Sequence, residues 1–415
     1  MWLKGFDAHG KRVAVIGAGA TGIQILQELS KETSDLGVFM RGTSYCLPIV
    51  QKPVDLKGQE FFRAYYPLIF NQARASPSEF ATFPQPCGIF DISDEERAEL
   101  FEHLWQLGGF HYLSRNCNDF LVDPRANKIV YDFWAKKTRA RINTPYKREL
   151  LAPENPPFHF GTKRCPLETE FYDCMDKENV ELISLLESPI QSFTSDGIAT
   201  SDGKERKFDV IVLATGFDAL TRALYRMGLV GRNGVDNKDA WADGIKTYMG
   251  LSIPNFPNAF IIYGPHGEFS THLMTLKYCL NIILTFLPNT APSTLSNGPT
   301  LIESQADLVA EMIKTCENDN LTSVDATVEA AQEWIDAIDA TTKQTLLALT
   351  KSWWTNSNVA GKKTEFLTYI GGIKAYEEQC GEKIVDWTGF NVVSGPQEHI
   401  SEFLQQLELM QLLPR

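Results

Sequence analysis

The sequence predicts an α/β protein: a parallel sheet begun near the N-terminus, a helical insertion cut into it, and a second mixed region behind. Three observations carry this. The apolar, β-branched run Arg12-Val13-Ala14-Val15-Ile16 breaks into Gly17-Ala18-Gly19-Ala20-Thr21-Gly22, after which Ile23, Leu26 and Leu29 recur at helical spacing. Far downstream a second apolar run, Phe208 to Leu213, ends in Ala214-Thr215-Gly216. Between them, from about Val50 to Phe158, the pattern turns to aromatic-rich helical segments.

The first element reads as strand, tight turn and helix. The first glycine permits the turn, the second lets backbone approach a pyrophosphate, and the third lets helix and strand pack; phosphate charge then meets the open N–H groups of the helix N-terminus. Gly17, Gly19 and Gly22, with Ala20 and Thr21 between them, are therefore candidate dinucleotide-binding residues, against the alternative of a plain βα turn. A second strand, Gly37-Val38-Phe39-Met40, ends at Arg41. An acidic residue there would meet a ribose 2′-hydroxyl, whereas a guanidinium fits a 2′-phosphate, which favours NADP(H) over NAD(H). The alternative is a solvated surface arginine.

In the insertion, Ser93-Asp94-Glu95-Glu96 opens a helix as an N-cap with first-turn carboxylates, and Leu100, Phe101, Leu104 and Trp105 form its apolar face. The cluster Lys136-Lys137-Thr138-Arg139-Ala140-Arg141 reads as a solvated helix face. A Pro-rich passage from Pro153 to Pro166 carries Gly161-Thr162-Lys163-Arg164. Strand signals return at Val180 to Ile183 and in a hairpin, Ile190 to Thr194 and Ile198 to Thr200, about Asp196-Gly197. Phe208 to Leu213 reads as a fully buried strand that resumes the first sheet.

Beyond Asp218 the sequence suggests another buried strand, Ala259 to Tyr263, broken by Gly264-Pro265, then long helices from Ser304 to Thr350. An aromatic and glycine-rich stretch from Ser352 to Gly372 follows, and a tail with a helical run from Ile400 to Leu412. The division is thus 10–50 and 159–217 for the nucleotide fold, 51–158 for the insertion, 218–380 for the second region and 381–415 for the tail.

Composition bounds the function. The 415 residues are 43% hydrophobic and 22% charged, with a formal charge of −13, which speaks against nucleic acid and anionic membrane as partners. Eight scattered cysteines without Cys-x-x-Cys suggest free thiols rather than a metal site or disulfide framework. The longest apolar stretch, Tyr278 to Leu287, is too short to span a bilayer and contains Asn281, and the N-terminus lacks the apolar core of a signal peptide, so a cytoplasmic location is expected. Ser270 and Cys279 lack the context of a nucleophile. His266 and His272 are candidates for a proton role, against ordinary packing.

The ordered set Gly17 to Gly22, Gly161-Thr162-Lys163-Arg164, Ala214-Thr215-Gly216-Phe217-Asp218, and Ser352-Trp353 followed by Tyr369-Ile370-Gly371-Gly372 resembles the Baeyer–Villiger-type class B flavin monooxygenases. Trp105 to Gly109, Asn127 to Phe133 and Leu150 to Pro153 add to the likeness, which runs from about Gly10 to Cys380. The resemblance implies an NADP-binding Rossmann-like domain with a helical insertion, plus the C-terminal half of a flavin-binding domain. It implies an enzyme in which NADPH reduces FAD, O₂ adds to the reduced flavin, and oxygen is inserted beside the carbonyl of a cyclic or polycyclic ketone, as in secondary metabolism. By position, Gly17, Gly19 and Gly22 would hold the NADPH pyrophosphate, Arg41 and Lys163 the 2′-phosphate, and Trp353 the nicotinamide nucleotide. Ala214, Thr215 and Gly216 would line the cofactor. Arg164 would be the catalytic residue, its permanent charge countering that on reduced flavin and its oxygen adduct, where a lysine could lose its proton.

Departures go with the likeness. The flavin-binding part that precedes this fold in the family has no counterpart in the sequence, Gly42-Thr43 stands where the family has Thr-Pro, and Glu268-Phe269 is out of pattern in the Gly264-Pro265 loop. Exposed strand edges and apolar faces are expected, covered by a partner or by a second copy. A flavin-free relative acting on a secondary-metabolite intermediate without redox chemistry, or an inactive interaction partner, are the alternative functions.

Overall fold

The structure is a computed structural model, and it describes residues 5–77, 80–217, 221–267, 297–357 and 361–395. Asp218, Glu268-Phe269, Ser270, His272, the run Tyr278 to Leu287 with Cys279, and Ile400 to Leu412 lie outside the described residues.

The first sheet is parallel throughout. Strand β1 (Arg12–Ile16) pairs with β2 (Asp35–Met40) on one side, and β2 pairs with β3 (Val180–Ser184). On its other side β1 takes β7 (Val210–Leu213), so the order is β3-β2-β1-β7. Side chains alternate across the pleat. Val13 and Val15 pack with Ile23 and Leu26 of α1 (Ala20–Glu32), while Ala14 and Ile16 join Phe39 and Ile183 on the opposite face. There they meet Ile198 of an antiparallel sheet formed by β4 (Ile190–Phe193), β5 (Gly197–Thr200) and β6 (Glu205–Lys207). Both faces of the parallel sheet are thus covered, as its β-branched sequence demands.

The insertion contributes three longer helices, α2 (Leu56–Ala75), α3 (Asp94–Leu107) and α4 (Pro124–Arg139). Helix α3 starts on a capping box: Ser93 Oγ accepts from Glu96 N–H at 3.2 Å and Glu96 Oε2 accepts from Ser93 N–H at 2.9 Å. Phe101 and Leu104 are buried, with Leu100 and Trp105 packed beside them. Trp134 of α4 is buried completely, and its indole N–H donates to the Cys46 carbonyl at 2.8 Å, fastening the insertion to the loop after β2. Helix α2 is different. Phe61, Phe62, Tyr65, Tyr66, Leu68 and Phe70 all lie in solvent, and Ala73 is its only buried residue.

Behind the sheet, α5 (Gly298–Asn318), α6 (Val328–Thr342) and α7 (Ile373–Val385) pack around Trp334, Trp354 and Tyr376. Strand β8 (Leu321–Ala326) pairs antiparallel with β9 (Phe390–Ser394). Three contacts tie this region to the insertion and the nucleotide fold: Leu346 N–H to Leu121 O at 2.8 Å, Thr162 Oγ1 to Thr350 Oγ1 at 2.7 Å, and Arg74 to Asp307 at 2.8 Å.

Four expectations are corrected. The long helices expected from Ser304 to Thr350 are present but have a strand, β8, between them, because Asn320 turns left-handed (φ 53°) and the next six residues find β9 as a partner. Ala259 to Tyr263 is not a buried strand: it makes one bridge, Phe260 to Ser252, and Ile262 is 42% exposed. Its backbone groups go to separate partners rather than to one neighbouring strand: Ile261 N–H donates to the Leu251 carbonyl at 2.7 Å and Tyr263 N–H to the Gln305 side-chain oxygen at 2.6 Å. Among the described residues strand β7 is an edge flanked by β1 alone; it is only part-buried, and Leu213 is 68% exposed. The basic cluster is not a solvated face. Arg139 binds Glu149 at 2.9 Å and Glu154 at 3.1 Å, while Arg141 binds Asp173 and, at 2.6 Å, Glu168, whose side chain is 1% exposed. A carboxylate that deep requires a counter-charge.

Candidate dinucleotide-binding site

The turn between β1 and α1 shows three glycines with three different surroundings. A Cβ on Gly17 (φ 111°) would lie 2.3 Å from the Ala214 carbonyl oxygen, and one on Gly22 would lie 2.1 Å from the Gly17 carbonyl oxygen. Both are packed backbone against backbone. Gly19 has no atom within 4 Å of its Cβ position. It is also the N-cap of α1, with no side-chain cap and no acidic residue in the first turn. The turn therefore offers a bare backbone and unclaimed N–H groups at the positive end of a helix, a setting suited to a pyrophosphate. Ala20 and Thr21 form the rim. Ala214 N–H donates to Ile16 O at 2.9 Å, which brings the Ala214-Thr215-Gly216 turn alongside, and Gly216 is left-handed at φ 93°.

Arg41 directly follows β2 and is exposed. Its neighbour Gly42-Thr43 is anchored: the Thr43 hydroxyl donates to the Leu151 carbonyl, and Ser44 Oγ donates to Ala18 O at 2.9 Å, bracing the glycine turn. Lys163 arrives from the other side of the insertion, its ammonium 4.1 Å from the centre of the Phe158 ring. Burial, and next the repulsion of Arg41, push the Lys163 pKa down from its ordinary value. Two cations thus stand close enough to repel, an arrangement that an anion between them would relieve.

Arg164 is exposed and makes no ion pair among the described residues. Trp353 is part-buried and meets Trp354 edge to face at 5.4 Å. The structure gathers the glycines with Ala214, and Arg41 with Lys163; it joins the loop carrying Lys163 and Arg164 to the segment leading to Trp353 through Thr162 and Thr350. Sequence reasoning missed Thr350, Phe158 and Ser44. Thr162 lay inside a quoted motif, but no local signal marks the other three.

His266 is packed rather than poised for proton transfer. It is buried completely, Nδ1 lies 2.9 Å from the Thr247 hydroxyl, and desolvation pushes its pKa down to about 4. Among the described residues there is no cluster that could hold a metal ion, the seven described cysteines are free, and no helix is long and apolar enough to cross a membrane.

A parallel sheet whose first turn bares a glycine at a helix N-terminus, with two cations that have no ion pair among the described residues, Arg41 after its second strand and Lys163 near it, defines a dinucleotide-binding α/β protein. No family model matches the chain. Individual proteins do. The chain is 32% identical over 395 residues to FAD-binding monooxygenase acrE of Aspergillus aculeatus, covering 95% of this chain and 62% of that one. It is 33% identical over 392 residues to cyclopentanone 1,2-monooxygenase of a Comamonas species, covering 94% and 67%. The crystal structure of OTEMO in complex with FAD and NADP superposes with a TM-score of 0.83 at 32% identity, covering 94% of this chain and 68% of that one. The chain belongs to the FAD-binding monooxygenases of Baeyer–Villiger type. It spans 62% and 67% of the length of the two curated relatives named.

Proposed function

We propose that the chain provides the NADPH-binding half of a Baeyer–Villiger-type monooxygenase that uses FAD and O₂ to oxygenate a cyclic or polycyclic ketone of secondary metabolism in the cytoplasm. The observation that supports this reading is the bare Gly19 at the start of α1, together with the Arg41 and Lys163 cations that repel one another. Gly17, Gly19 and Gly22 hold the pyrophosphate, with Ala20 and Thr21 on its rim and Ala214, Thr215 and Gly216 alongside. Arg41 and Lys163 select the 2′-phosphate, and Trp353 meets the nicotinamide end. FAD, when bound, supplies the electron acceptor and the oxygen-activating ring. Arg164, permanently charged and without an ion pair among the described residues, is available to counter negative charge at the reacting end.

A second reading is favoured by exposed Leu213, Phe217 and Ile262. There the chain binds NADP(H) and a substrate without flavin chemistry, and the apolar face is covered by a second copy or by a flavin-binding partner. The test is ketone-dependent NADPH oxidation with FAD added. The first reading expects oxidation that Arg164→Ala abolishes while NADP⁺ binding persists; NADP⁺ binding with neither oxidation nor visible flavin absorbance selects the second.

A further inference from the structure

The loop that carries Lys163 and Arg164 is held from two directions. On its near side Gly161 is left-handed (φ 77°), and a Cβ there would sit 3.2 Å from Phe120 and 3.3 Å from Leu121, so the loop is pressed onto the core of the insertion. Next to it, Thr162 is buried completely. Its hydroxyl donates to the His159 carbonyl at 2.7 Å and lies 2.7 Å from the hydroxyl of Thr350, itself 4% exposed. A hydroxyl has one proton. Since Thr162 gives its own to His159, Thr350 must be the donor between the two threonines. The turn that presents Thr350 is fixed by Leu346 N–H on Leu121 O at 2.8 Å, the same Leu121 that bounds Gly161. One buried hydrogen bond therefore joins the residue before Lys163 to a residue three positions before Trp353.

The geometry points to Thr350, acting through Thr162, as a positioning residue that sets Lys163 and Arg164 in register with Trp353. It rests on the nucleotide reading given above and adds a division of labour to it. Arg41 and Lys163 grip the phosphate end by charge, which tolerates small displacements. The nicotinamide end depends on the Trp353 segment standing at a fixed distance from that grip, and the Thr350 proton donor fixes it. Loss of the donor leaves the Thr162 acceptor buried without a partner and lets the two segments drift, a change felt by a ligand long enough to touch both.

The experiment uses the full chain with two probes: NADP⁺, which on the nucleotide reading meets both Arg41 and Trp353, and adenosine 2′,5′-bisphosphate, which on that reading meets only the phosphate end. Thr350→Val keeps the side-chain shape and removes the donor, and Thr350→Ser keeps the donor. The expected result is that Thr350→Val weakens NADP⁺ binding roughly two- to tenfold, as the loss of one buried neutral hydrogen bond allows, with adenosine 2′,5′-bisphosphate unaffected and Thr350→Ser as wild type. Equal losses for both probes, no loss for either, or a Thr350→Ser variant as weak as Thr350→Val would overturn it. A wild-type chain that binds neither probe would instead remove the nucleotide reading, and the positioning role with it.

Discussion

Gly22 and Gly17 touch backbone to backbone: a Cβ on Gly22 would lie 2.1 Å from the Gly17 carbonyl oxygen, whereas the Cβ position of Gly19, between them, is open. Folding and binding therefore separate within one motif. Gly22→Ala is expected to cost about 2–3 kcal/mol of stability through overpacking against backbone that cannot yield. Gly19→Ala should melt like wild type and bind NADP⁺ at least roughly tenfold more weakly, because its methyl occupies space meant for phosphate. Thermal melts and equilibrium titrations of both variants check this; a Gly19→Ala chain with normal affinity contradicts it.

Lys163 is expected to link NADP⁺ affinity to pH. Burial and the charge of Arg41 hold its pKa below the ordinary 10.5, so its proton is lost sooner as the solution turns alkaline. NADP⁺ affinity should fall as pH rises through that lowered value, and Lys163→Arg, which stays charged, should flatten the decline. NAD⁺ affinity should change little over the same range, since it lacks the 2′-phosphate.

His266 sets an acid limit on the fold. Its pKa drops from 6.5 unfolded to about 4 in the native chain, so between those values the unfolded state binds more protons. Stability is thus fully present above pH 6.5 and is lost as pH falls toward and through about 4, by about 3 kcal/mol in total. Denaturant melts at neutral and acid pH should show this slope in wild type and a shallower one in His266→Gln.

Arg141 answers a buried charge. Glu168 is 1% exposed at its side chain and meets Arg141 at 2.6 Å. Arg141→Ala leaves that carboxylate without its cation and should destabilise the chain by about 3 kcal/mol. Removing both charges in Arg141→Met with Glu168→Gln should recover part of the loss; no recovery in the double variant contradicts the pairing.

Local chemistry was legible in the sequence. The glycine turn, the capping box at Ser93 and the alternation of Val13 to Ile16 each depend on neighbours within a few residues, and each stands where those neighbours put it. Burial and pairing at a distance were not. Leu321 to Ala326 is a strand because Phe390 to Ser394 comes beside it, whereas the N–H groups of Ile261 and Tyr263 go to separate partners, Leu251 and Gln305. The ion pairs of Arg139 and Arg141 depend on carboxylates from other segments, so a run of positive charge looked solvated. Thr350 carries no local mark at all, since its meaning comes from Thr162, 188 positions away.

The central claim is that the turn at Gly17 to Gly22, with Arg41 and Lys163, is built for a 2′-phosphorylated dinucleotide. Calorimetric titration of the purified 415-residue chain with NADP⁺ and with NAD⁺ tests it most directly. NADP⁺ is expected to bind at least roughly tenfold more tightly, with Arg41→Ala erasing most of the difference. Equal affinities, or no binding of either nucleotide, would contradict it.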